Sequence, residues 1–276
     1  MMTTTPSSVA PDTAVLPPKP SREAKRLSPA LRYTLPTVAF IVSIALWQLI
    51  VVAFKIPPYI LPAPTVVFES FIEELPTLWD ASLVTGSEVL LGFLLAAVIS
   101  IPLAYLIASV PIVEITLYPL IVVLQTIPKI AVAPLFIVWF GFGLLPKVLL
   151  TFLLCFFPIL VDSLTGFKAL DPRLLYITKS MGASGLQTFS YVRMPAALPF
   201  IFSGLKVAIV LAVTGAIVAE FVGSSAGLGY VLLRASANLD TALMFAVLVA
   251  LSIMGLVFAY AVEFAERLVA PWKKKH

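Results

Sequence analysis

The chain is poor in groups that do covalent chemistry. Its single histidine, His276, is the last residue, and its single cysteine, Cys155, lies inside an apolar run. That leaves no disulfide framework, no His/Cys ligand set for zinc, haem or iron–sulfur, and no Ser-His or Cys-His dyad in the folded region. What remains is a set of charges in or near long apolar segments: Glu88, Lys129, Asp162, Lys206 and Glu220. A charge near a bilayer centre costs at least ~2.5–3.5 kcal/mol on insertion scales, so such groups face a cavity or a partner. Lys129 stands in Gln125-Thr-Ile-Pro-Lys-Ile, beside a proline that frees backbone groups. Broken backbone at membrane depth is tolerated where it lines a cavity. Glu88, Gln125, Lys129 and Glu220 are therefore expected to border a translocation pathway, with simple interhelical pairing as the competing reading. Asp162 and Lys206 fall toward the cytoplasmic ends of their spans, where snorkelling or local pairing accounts for them.

The elements that must position these residues are membrane helices. The 276 residues are 61% hydrophobic with a mean hydropathy of +1.07, and only 12% are charged, against about 25% in soluble domains. A soluble chain so short of charge would expose large apolar patches. The composition predicts an all-α, polytopic membrane protein with six spans, roughly 34–54, 84–108, 112–140, 145–166, 198–221 and 241–264. The third holds Pro119, Pro128 and Pro134 and is expected to be kinked or broken. Residues 1–33 have no apolar run and read as a mobile tail rather than a secretory signal, residues 34–272 as the membrane domain, and 273–276 as a basic tail.

Charge sets the orientation. With the N-terminus inside, Lys19, Arg22, Lys25, Arg26, Arg32, Lys168, Arg173, Lys179, Arg193, Arg267, Lys273, Lys274 and Lys275 are cytoplasmic, and only Lys55, Lys147 and Arg234 are outside. This positive-inside bias predicts cytoplasmic termini. The net charge of +4 follows the membrane and does not indicate nucleic acid. Trp79 and Trp272 fall near predicted interfaces. In the outer loop, Val66, Val67, Ile72 and Leu75 alternate with Glu69, Glu73 and Glu74, which predicts a short amphipathic surface helix.

One stretch between spans is soluble in character: DPRLLYITKSMGASGLQTFSYVRMPAALP, residues 171–199. Asp171-Pro172 is a helix start, an N-cap followed by proline at the first helical position. Leu174, Ile177 and Met181 form an apolar stripe, with Arg173 and Lys179 off it, and Gly182 ends the helix. Ser184 to Gln187 has the form of a capping box, Phe189 and Val192 give a second short helix an apolar edge, and Pro195 and Pro199 close it. Such short helices are poorly stable alone. Either they pack on this chain's own helix ends or they dock a separate cytoplasmic protein by laying the stripe in a groove.

MGASGLQTFSYVRMPAALP resembles the cytoplasmic loop, here about 168–197, of permease subunits of bacterial ABC importers. That pattern runs E-A-A-x-x-x-G-A, a spacer, an apolar residue, then x-L-P. Gly182-Ala183 matches the G-A pair, Val192 the apolar position, and Met194-Pro195 stands for Leu-Pro. QTIPKIAVAPLFIVWFGFG (125–143) and AEFVGSSAGLGYVL (219–232) resemble the nitrate/sulfonate/taurine branch. The family's Glu-Ala-Ala is replaced by Tyr176, Ile177 and Thr178. The resemblance, over about 34–272, implies a type I ABC importer permease fold in a bacterial inner membrane. It also implies an ATPase partner docked through Leu174, Ile177, Lys179, Met181, Gly182, Ala183, Ser184, Gln187 and Phe189. An external binding protein and a second permease subunit, expected as a homodimer because no second half is fused, complete the assembly. No G-x-x-x-x-G-K-[ST] occurs in the chain, so ATP would be bound by the partner and no cofactor is expected here. A stand-alone secondary transporter or channel is the alternative; an integral-membrane enzyme has too few catalytic groups.

Overall fold

A computed structural model describes residues 29–271. Lys19, Arg22, Lys25, Arg26, Trp272 and Lys273 to Lys275 lie outside the described residues, as do most of the expected N-terminal tail and the basic 273–276 segment. Eleven α-helices and no strands occur among the described residues. The chain divides into two units between Trp47 and Gln48.

The first unit holds most of α1 (Pro29–Ala53), whose Leu35, Val38, Phe40 and Ile41 are exposed. From Thr34 onward it is long and apolar enough to span a membrane. It starts inside the stretch expected as tail, at a proline, whose fixed φ suits a first helical position.

In the second unit, α2 (Pro64–Glu73) is the expected outer-loop helix, but its inner face differs from the predicted one. Val67 is buried and Phe71 packs beside Leu78 of the next helix, while Ile72 and Leu75 are exposed. The spacing Val67–Phe71 is the helical i, i+4 repeat, which an alternation with the glutamates does not select.

Four long apolar helices follow: α3 (Leu75–Ser109), α6 (Leu144–Lys168), α9 (Met194–Gly223) and α11 (Thr241–Val269). The third expected span is indeed in two pieces, α4 (Pro111–Thr126) and, after a 3-10 turn at Lys129–Val132, α5 (Ala133–Phe140), bent by 84°. Pro128 alone makes the break. Ile127 before it is extended, at φ −67° and ψ 128°, as a residue preceding proline prefers. Pro119 is carried inside α4, and Pro134 sits in the first turn of α5, where a missing N–H costs nothing.

The centre of the unit is the packing of α3, α6 and α9. Val89, Phe93 and Ala96 of α3 meet Cys155 and Ile159 of α6 and Ala208, Ala212 and Ala216 of α9, all buried. Lipid tails offer no hydrophobic drive between helices, so small residues that let backbones approach do this work. Thr151 of α6 sits between Gly92 of α3 and Gly215 of α9. A Cβ on Gly215 would stand 2.9 Å from the Thr151 Cα. Gly215→Leu should therefore destabilise the fold by about 1–3 kcal/mol through overpacking, read as a lowered thermal midpoint in detergent. An unchanged midpoint would mean that α6 and α9 can part there without cost.

α10 (Leu228–Ala237) was not anticipated from sequence; its Leu228, Val231 and Ala235 pack against Leu243, Val247 and Leu251 of α11.

Candidate functional site

Three groups of polar residues stand out within the second unit. The first is a buried network near the start of α6. Lys147, expected in an outer loop, is instead buried inside α6: its Nζ donates to Glu88 Oε1 at 2.6 Å and to Ser224 Oγ at 2.7 Å. Only one turn of α6 precedes it, so the sequence bias that counted it as loop missed the inward face of that turn. Ser224 Oγ donates in turn to the Ala226 carbonyl at 2.6 Å. Beside this lies the cap of α10. Thr85 Oγ1 donates to Glu220 Oε1 at 2.6 Å and accepts from Leu228 N–H at 2.8 Å, while Gly229 and Tyr230 N–H donate to Glu220 Oε2. The first N–H groups of a helix have no internal partner, and its positive end favours an anion. Glu220 meets both needs. Gly227, at φ +104°, lets the chain pass where a Cβ would collide with the Glu220 carboxylate.

The second group surrounds an open cavity of about 640 Å³ at the break between α4 and α5, bordered by α6 and α9. Gln125 and Lys129 line it. Lys129 Nζ donates to the Gln125 carbonyl at 3.1 Å, at the end of α4, and lies 4.9 Å from the Phe157 ring centroid. Asp162 lines the same cavity. The four residues expected to border a pathway are thus not brought together: Gln125 and Lys129 face the cavity, while Glu88 and Glu220 are fully buried in the network. Lys206, expected to snorkel or pair locally, is ion-paired with Glu266 of α11.

The third group is the 171–193 segment, between α6 and α9. Asp171 caps α7 (Pro172–Ser180), accepting the Arg173 N–H at 2.9 Å. Gly182 takes φ +75°, and Ala183 N–H returns to the Thr178 carbonyl at 3.0 Å, closing a Schellman turn. The capping box of α8 (Gly185–Thr188) is complete: Ser184 Oγ accepts the Gln187 N–H at 3.2 Å and Gln187 Oε1 the Ser184 N–H at 2.8 Å. The expected closure of this helix by Pro195 and Pro199 does not occur. α8 runs through a π turn, Phe189–Arg193, directly into α9, and the Met194 N–H reaches back to the Phe189 carbonyl. The wider turn accommodates Pro195, which has no N–H and would crowd an α-helical carbonyl; Pro199 rides within α9.

On this segment Leu174, Ile177 and Met181 are 46%, 55% and 79% exposed, with Lys179, Gly182, Ser184 and Gln187 also exposed and Ala183 half-buried. Phe189 is set apart. It turns inward, 4.5 Å from the Tyr105 ring of α3 and 6.5 Å from Phe167 of α6. Arg193 Nη1 donates to Ser109 Oγ at the end of α3 at 2.9 Å. Tyr105 was not singled out from sequence and Arg193 only as a cytoplasmic charge; each stands 84 residues from its partner in the chain.

The match to known proteins is broad. Residues 97–275 match the family described as binding-protein-dependent transport system inner membrane component. The chain is 36% identical over 259 residues to the riboflavin transport system permease protein RibX of Chloroflexus aurantiacus, covering 92% of this chain and 97% of that one. It is 35% identical over 241 residues to the formylaminopyrimidine transport permease protein ThiX of Halalkalibacterium halodurans (87% and 96%). To the taurine transport system permease protein TauC of Escherichia coli it is 27% identical over 253 residues (89% and 91%). A solved chain of the MetNI methionine ABC transporter, in inward-facing conformations, shares the fold with a TM-score of 0.58 at 21% identity, over 71% of this chain and 95% of that one.

Fold and sites together define a multi-pass, all-helical membrane transport subunit. The chain belongs to the binding-protein-dependent transport system inner membrane component family, and it is a permease subunit of an ABC importer.

Proposed function

We propose that this permease docks a separate cytoplasmic ATPase on the outward face of the 171–188 element. Leu174, Ile177 and Met181 supply apolar contact, and Lys179, Gly182, Ala183, Ser184 and Gln187 shape the turn around it. The observation that carries this reading is an apolar stripe held exposed on an element capped at both ends. Short helices with exposed apolar anchors suit helix-in-groove recognition. Tyr176, at the position of the family's acid, is 72% exposed and offers a ring where relatives offer charge.

Lys168, Arg173, Lys179 and Arg193 gather around this element, which supports a cytoplasmic placement and cytoplasmic termini. ATP is bound by the partner, this chain holds no cofactor and performs no catalysis, and an external binding protein delivers a small solute. Gln125 and Lys129 border its path. Ile112, Ile115 and Val138 along the broken span, and Phe142 just beyond it, are exposed, which suits burial against a second copy in a homodimer. Closure of the two ATPases draws the two loops together, and α9, continuous with α8, carries that movement into the membrane.

Deleting residues 182–187 removes the Schellman turn and the capping box together. The ATPase encoded with this permease should then no longer co-purify, while the permease alone keeps its thermal midpoint within a few degrees. Full ATPase retention by the deletion would overturn docking through this element. Ile177→Asp, which leaves both caps intact, should weaken co-purification in the same direction.

A further inference from the structure

Asp162 is the one acidic side chain of the cavity at the helix break, and it makes no hydrogen bond or ion pair among the described residues. It lies on α6 within a candidate span. A carboxylate there needs water or a partner, and the cavity supplies the room. Lys129 lines the same cavity and is held by the end of α4 and by the face of Phe157. It forms no ion pair with Asp162. An ammonium has three N–H donors, and the Gln125 carbonyl engages one of them. Opposite charges thus line one space without forming an ion pair, and apolar side chains such as Leu154 and Leu211 line it with them.

We propose that this cavity is a solute subsite for a small dipolar molecule: Asp162 receives its cationic or N–H donor end and Lys129 its anionic or acceptor end. The proposal rests on the reading of the break as part of the solute path. It adds a residue, Asp162, and a class of solute, zwitterionic or donor–acceptor in character. A solute with one charge would leave the other side chain without a partner in a largely apolar wall, which disfavours it. Phe157 adds a flat face beside the acceptor end.

The test uses the full chain reconstituted in liposomes, with Cys155→Ser as background and one new cysteine, Leu211→Cys, in the wall. Its reaction rates with a cationic and an anionic methanethiosulfonate reagent read the field of the cavity. Asp162→Asn should slow the cationic reagent by about tenfold and speed the anionic one, and Lys129→Gln should do the reverse, since charge-lined clefts concentrate ions of opposite sign by about that factor or more. Asp162→Glu should restore the parental rates. β-Alanine should then slow labelling more than propionate or propylamine at equal concentration. A cysteine unreactive to both reagents, rates indifferent to both substitutions, or equal effects of the three small molecules would each overturn the proposal. ATPase co-purification, measured on the same variants, is expected to be unchanged. Its loss in the parental chain would instead count against the docking reading, which the labelling does not touch.

Discussion

Replacing Lys147 by alanine should destabilise the membrane domain by about 3–5 kcal/mol, the usual consequence of removing one partner from a buried ion pair. Glu88 is then left at 0% exposure with no cation, and its second oxygen, Oε2, already has no hydrogen-bond partner among the described residues. Ser224 loses one of its two donors as well, and with it one tie between α6 and the 224–227 turn. The charge itself is not what stabilises: buried pairs exchanged together for apolar residues of similar size are often neutral or better. The double variant Lys147→Met/Glu88→Leu should therefore recover most of the lost thermal midpoint, and Lys147→Ala alone should be the worst of the set. The measurement is thermal unfolding of the purified chain in detergent, paired with its monodispersity. Equal midpoints for the parent and Lys147→Ala would mean that water reaches Glu88 and that the pair is not part of the core.

Lys147 also shows where sequence reasoning stops. The spans were legible because about twenty apolar residues in a row have few other uses, and that the third would be kinked or broken was legible because proline removes a donor, though not which of its three prolines would do it. The loop at 171–188 was legible down to single hydrogen bonds, since its caps are local: Asp171 reaches Arg173, and Ser184 reaches Gln187. What could not be read is any contact that joins distant segments. Glu220 looked like a pathway residue because an acid in a span demands a reason; its reason is the N-terminus of α10, reached only after the chain turns at Gly227. Asp162 was assigned to snorkelling or local pairing because it falls toward the cytoplasmic end of its span, whereas the cavity it faces is completed by the end of α4, the turn at Lys129 and Leu211 of α9. Phe189 belonged by position to the docking helix and by packing to α3 and α6.

That last distinction yields the other large expected effect. Phe189→Ala should leave the ATPase bound and sever its work from transport. The exposed stripe, Leu174 and Ile177 of α7 with Met181 at its C-cap, lies on the far side of the Gly182 turn from Phe189, and its caps involve neither ring nor π turn. Phe189 instead ties the start of the α8–α9 rod to Tyr105 and Phe167, with Arg193 adding its bond to Ser109. Aromatic pairs contribute about 0.5–1.5 kcal/mol each beyond area burial, and 1.4 kcal/mol is a factor of ten in an equilibrium. Loss of both contacts should thus shift the balance between a loop fixed to α3 and a loop free of it by about tenfold or more. A loop that swings on its own absorbs the movement of the ATPase rather than passing it to the spans. Solute transported per ATP hydrolysed, in liposomes holding the whole importer, should fall by about the same factor, with ATPase co-purification retained. Phe189→Tyr, which keeps the ring, should transport normally. If transport and ATPase binding fell together in Phe189→Ala, the ring would belong to the docking surface, and the rod would have to be driven through Arg193 and the π turn alone.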